Sequence, residues 1–63
     1  MAKIVFVDDE LDMLETVKKV FTEFGHEVYT AEEGREGLRL ILEHEPDIAF
    51  VDMQDQRAGI KTL

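Results

Sequence analysis

The apolar positions of this chain fall into two kinds of run. Ile4-Val5-Phe6-Val7 and Ile48-Ala49-Phe50-Val51 are short and unbroken, and an aspartate closes each, so that the two share the pattern I-x-F-V-D. Such runs read as strands buried on both faces, as in parallel sheets. Between them the period changes. Met13, Leu14, Val17, Val20, Phe21 and Phe24 recur at helical spacing and form one apolar stripe, with Gly25 where a C-terminal cap glycine belongs. Asp12 is expected to cap this helix, with Glu15 three residues on as in a capping box. Val28, Tyr29 and Thr30 supply a second strand whose polar content suggests a sheet edge.

A second helix follows, with acids in its first turn. Its expected apolar face is Leu38, Ile41 and Leu42. Gly34 and Gly37 would allow close approach, and Leu40 lies off the stripe. Pro46 ends the helix and biases Glu45 towards extended geometry.

The expected order is β-α-β-α-β within a single domain, residues 1–63. Strands lie near 3–7, 26–31 and 47–52, helices near 12–24 and 33–45, and a tail at 53–63. Two helical crossovers imply a parallel α/β sheet with right-handed connections. If the two I-x-F-V-D strands are neighbours in register, Asp8 and Asp52 meet at one end of the sheet, close to Asp9 and Glu10. Such a cluster of acids asks for a positive partner.

Composition narrows the reading. A chain of 63 residues is one small domain at most, and at this size only about 60% of the unfolded surface is buried. With no cysteine there is neither a disulfide staple nor a thiolate to hold zinc. A hydrophobic fraction of 44% argues against disorder. The formal charge of −8 argues against nucleic acid as a partner and favours a cation or a basic surface. No apolar run approaches the roughly 20 residues of a membrane span. The start reads as mature sequence, and the expected location is the cytoplasm. His26 and His44 read as solvated residues at element boundaries.

The stretches K-I-V-F-V-D-D-E and P-D-I-A-F-V-D-M-Q, with T-A-E-E-G-R-E-G-L between them, resemble the receiver domain of two-component response regulators. The resemblance runs from about Lys3 to Gln54. It implies half of a flavodoxin-like fold, with three parallel strands in order 2-1-3 and helices on both faces. It further implies that Asp8 and Asp9 are the acidic pair holding Mg²⁺. Asp52 would then be the phosphoacceptor and a further metal ligand, and the backbone carbonyl of Gln54 another. The implied activity is phosphorelay signal transduction, with a histidine kinase as donor and no enzyme turnover.

The family's Ser or Thr after strand four and Lys after strand five have no counterpart here, since Lys61 and Thr62 lie in the tail. The loop after Asp52, Asp55-Gln56-Arg57-Ala58-Gly59, is shorter than the family's and has no proline. A three-stranded sheet leaves the outer side of strand three open. The expectation is therefore a homodimer or larger assembly joined there. The alternative function is a truncated or engineered half-receiver that self-associates without phosphotransfer.

Overall fold

The computed structural model describes residues 1–52. The elements are β1 (Lys3–Asp8), α1 (Leu11–Glu23), β2 (Glu27–Ala31), α2 (Gly34–His44) and β3 (Ile48–Asp52). They form one parallel sheet in the order β2-β1-β3, half of a flavodoxin-like α/β fold, as the sequence suggested. The expected tail, 53–63, and with it the loop after Asp52, lie outside the described residues. No helix among the described residues is long and apolar enough to cross a membrane.

Alternation along β1 assigns the two faces. Val5 and Val7 point to one side, where they pack with Ala31 and Leu40 and with the half-buried Tyr29 and Ile41. That is the α2 face. Phe6 points to the other side, where its ring meets Phe21 of α1 edge-on at 5.4 Å and stacks on Phe50 at 5.0 Å. Ile4, Leu14 and Val28 are also buried. The helices therefore cover opposite faces, and the central strand is buried from both.

Several details differ from the sequence expectations. Asp12 does not cap α1. The helix starts one position earlier, Leu14 N–H donates to the Glu10 carbonyl, and Glu10 takes the cap position without a side-chain bond. On α2 the buried residues are Gly37 and Leu40, while Leu38 and Leu42 are exposed. A Cβ on Gly34 would meet open space, so only Gly37 serves close approach. Glu45 is not extended. It ends α2 in the left-handed region (φ 49°, ψ 61°), with its N–H donating to the Ile41 carbonyl at 2.9 Å.

The histidines are also more than solvated boundary residues. His26 Nδ1 accepts the Ala2 N–H at 3.0 Å. The His44 ring stacks on Tyr29 at 3.9 Å.

The end of α1 gives a first prediction. Gly25 has φ 91°, His26 N–H donates to the Phe21 carbonyl and Gly25 N–H to the Thr22 carbonyl. This is the Schellman arrangement, which needs a left-handed residue. A Cβ at Gly25 would touch nothing, so Gly25→Ala pays the backbone penalty alone. We expect a loss of about 1–2 kcal/mol, or a fall of roughly 4–8 °C in Tm per kcal/mol for a domain of this size. A thermal melt followed by circular dichroism checks it, and an unchanged Tm would refute the assigned cap.

A second prediction concerns β2. Tyr29 Oη donates to the Glu27 carboxylate. This bond, with some burial and the charge of Glu27, holds the phenol above its ordinary value of 10.0. A raised pKa in the fold means that the contribution is complete below pH 10 and is lost as pH rises through the shifted value. Glu27→Gln should bring the tyrosinate absorbance titration down towards the ordinary value. A titration unmoved by that change would exclude the bond.

Candidate functional site

The site follows from how the ends of the sheet are tied. At the N-terminal end of β1, Lys3 N–H donates to Asp47 Oδ2 at 2.8 Å and Asp47 N–H donates to the Lys3 carbonyl at 2.7 Å. Lys3 Nζ donates to the His44 carbonyl at 3.1 Å. These bonds lash the start of β3 beside the start of β1. The register then runs without a break from Ile4↔Ile48 to Asp8↔Asp52. The two aspartates therefore arrive side by side at the C-terminal end of the sheet. This is the end at which open α/β sheets bind ligands, where strand order reverses.

Asp8, Asp9, Glu10 and Asp52 line a cavity of about 220 Å³ there. Asp8 is buried, and the other three are exposed. Asp8 Oδ1 accepts the Glu10 N–H at 2.9 Å, which orients the carboxylate and shapes the turn into α1. The acids stand at the N-terminus of α1, whose dipole offsets part of their mutual repulsion.

Three of the four residues named from the sequence, Asp8, Asp9 and Asp52, are thus brought together. Gln54, the fourth, lies outside the described residues, as do Asp55 and Arg57. Glu10 is a lining residue absent from the expected ligand set. Its closeness to the other acids is as the sequence suggested.

Among the described residues no group of three or more acids or histidines is arranged as a ready metal cluster. Mg²⁺ does not need one, because it commonly takes one or two carboxylates and completes its shell with waters and phosphate oxygens. A donor set made only of carboxylate oxygens, in a cavity with room for waters, fits such a hard ion. A larger cavity, about 500 Å³, lies between α1 and the turn into α2, lined by Leu14, Lys18, Ala31, Glu32 and Glu36 among others. It shares no lining residue with the acidic site, and its size is no argument for chemistry there.

Compared with known proteins, residues 4–63 match the family model described as the response regulator receiver domain. No solved structure was found to match the chain.

Proposed function

Because the chain belongs to the response regulator receiver domain family, we propose that it is a phosphorelay module whose Asp52 accepts a phosphoryl group. Asp8, Asp9, Asp52 and the backbone carbonyl of Gln54 would hold the Mg²⁺. Family membership supports phosphorelay signalling in general, with a histidine kinase as the general partner and Mg²⁺ as the ion that receiver domains generally bind. The observation that carries the reading is the register that seats Asp8 beside Asp52 at the rim of the acidic cavity.

The chemistry is simple. An Asp52 carboxylate oxygen attacks phosphorus, and the bond from phosphorus to the donor's leaving atom breaks with its electron pair, which takes up a proton. A carboxylate is a weak nucleophile, and bound Mg²⁺ supplies the positive charge that lets two anions approach. Asp8, anchored by the Glu10 N–H, and the exposed Asp9 are the side chains that would position that charge. The module is an acceptor consumed once per transfer, not an enzyme, and the reading places it in the cytoplasm.

Incubation with a small acyl phosphate and Mg²⁺, followed by intact mass, tests this. One phosphoryl adduct is expected on the native chain and none on Asp52→Ala. No adduct on a chain whose circular dichroism shows it folded would sink the proposal.

A second reading is favoured by one observation. Every residue of β3 is exposed, including Ile48, Phe50 and Val51. Such an edge invites another strand. In this reading the chain self-associates through β3 and transfers no phosphoryl group.

A further inference from the structure

β3 runs Ile48-Ala49-Phe50-Val51 before Asp52, and its neighbour β1 runs Ile4-Val5-Phe6-Val7 before Asp8. A strand that alternates polar with apolar residues is held in register by its own pattern, because a slip of one residue turns every side chain to the other face. Neither run alternates. A slip of one position would still set apolar residues against apolar ones, so misaligned pairings lie close in free energy.

Two features of the structure oppose a slip. The Phe6 ring stacks on Phe50 at 5.0 Å. One position ahead of the first pair, Ile4↔Ile48, Asp47 holds Lys3 twice. Its Oδ2 accepts the Lys3 N–H at 2.8 Å, and its own N–H donates to the Lys3 carbonyl at 2.7 Å.

Resting on the phosphoacceptor reading above, we propose that Asp47 is a positioning residue for Asp52. It stands five residues away, about 16 Å along an extended strand, and does not line the acidic cavity. Its effect is carried by β3. With the strand pinned at Asp47, the ladder delivers Asp52 opposite Asp8. Slipped by one residue, Asp52 would move about 3.3 Å along the sheet and turn to the other face. Mg²⁺ tolerates little of this, since it demands near-octahedral oxygens at about 2.0–2.1 Å. Asp47 is exposed, so its side-chain bond contributes only what an ordinary hydrogen bond does. Losing that bond should weaken the aligned pairing against misaligned ones by about two- to tenfold.

The test follows adduct formation on the 63-residue chain with acetyl phosphate, by intact mass, over a range of Mg²⁺ concentrations. Each variant is compared at a temperature where circular dichroism shows it folded. Asp47→Ala should react about two- to tenfold more slowly and need more Mg²⁺ for half its maximal rate. Asp47→Asn keeps an oxygen acceptor and should behave as the native chain does. Asp47→Glu keeps the charge but moves the carboxylate out by a methylene, and should be slowed. This pair decides the matter should Asp47→Ala fail to fold. Lys3→Met removes the Nζ bond to His44 but not the Lys3 N–H, and should leave rate and Mg²⁺ dependence unchanged.

Gly25→Ala, which weakens the fold at the far end of α1, is the control for stability alone. Its folded chains should keep the native rate and Mg²⁺ dependence. A folded Asp47→Ala chain with native kinetics would overturn the positioning role and leave the phosphoacceptor reading standing. An equal slowing in Gly25→Ala, or in Asp47→Asn, would do the same. No adduct on the native chain would overturn both.

Discussion

Replacing Leu40 with alanine should lower stability by about 2–5 kcal/mol, the range for truncating a buried leucine. Leu38→Ala and Leu42→Ala should each change it by less than about 0.5 kcal/mol, as exposed positions do. Leu40 is 7% exposed and packs with Val5, Val7 and Ala31, whereas Leu38 is 56% exposed. A domain of 63 residues is expected to have a total of roughly 3–9 kcal/mol. Leu40→Ala therefore removes a large part of it, and a measurable unfolded population should appear in native buffer. Urea denaturation of the three variants ranks them. A larger loss at Leu38 or Leu42 than at Leu40 would mean that α2 is rotated from its assigned position.

Gly37→Ala should also destabilise, although alanine is the better helix former by about 1 kcal/mol. An added Cβ would stand 2.4 Å from Val7 Cγ2 and 3.1 Å from Val7 Cγ1. Valine is stiff at χ1, and Val7 is itself buried among Val5, Ala31 and Leu40. Neither side chain can step aside, so α2 must lift from the sheet. Overpacking of this kind costs about 1–3 kcal/mol, which outweighs the gain in propensity. Gly34→Ala is the internal control, since its Cβ meets nothing and only the propensity gain remains. Adding Val7→Ala to Gly37→Ala should recover part of the loss, because the two positions are in contact and not additive. A Gly37→Ala chain that melts at or above the native temperature would refute the close approach.

The α2 face shows why part of the fold could not be read from the chain. Leu38, Ile41 and Leu42 satisfy helical spacing, and so do Gly37, Leu40, Ile41 and His44. Apolar counting prefers the first set because a glycine adds nothing to a stripe. In the second set Gly37 and Leu40 are buried and Ile41 and His44 half-buried, because the helix approaches β1 through the gap that Gly37 leaves over Val7. A residue without a side chain thus centres the interface, and periodicity is blind to it. The start of α1 misled for a related reason. Asp12 has the composition of a cap, but the Asp8 carboxylate already holds the Glu10 N–H, and the helix begins there.

The candidate site was more legible. Two strands of like pattern, each ending in an aspartate, suffice to align Asp8 with Asp52 once they are parallel neighbours in register. The sequence by itself determined the order of elements, the parallel sheet and the identity of the converging acids, because these depend on local period and on spacing along the chain. The tertiary structure decided what depends on which surfaces meet. It set the register through the reciprocal Lys3–Asp47 bonds, chose Leu40 over Leu38, and gathered the expected acids around one cavity. Burial belongs to pairs of elements and not to single ones, so no periodicity within one helix or strand could have shown it.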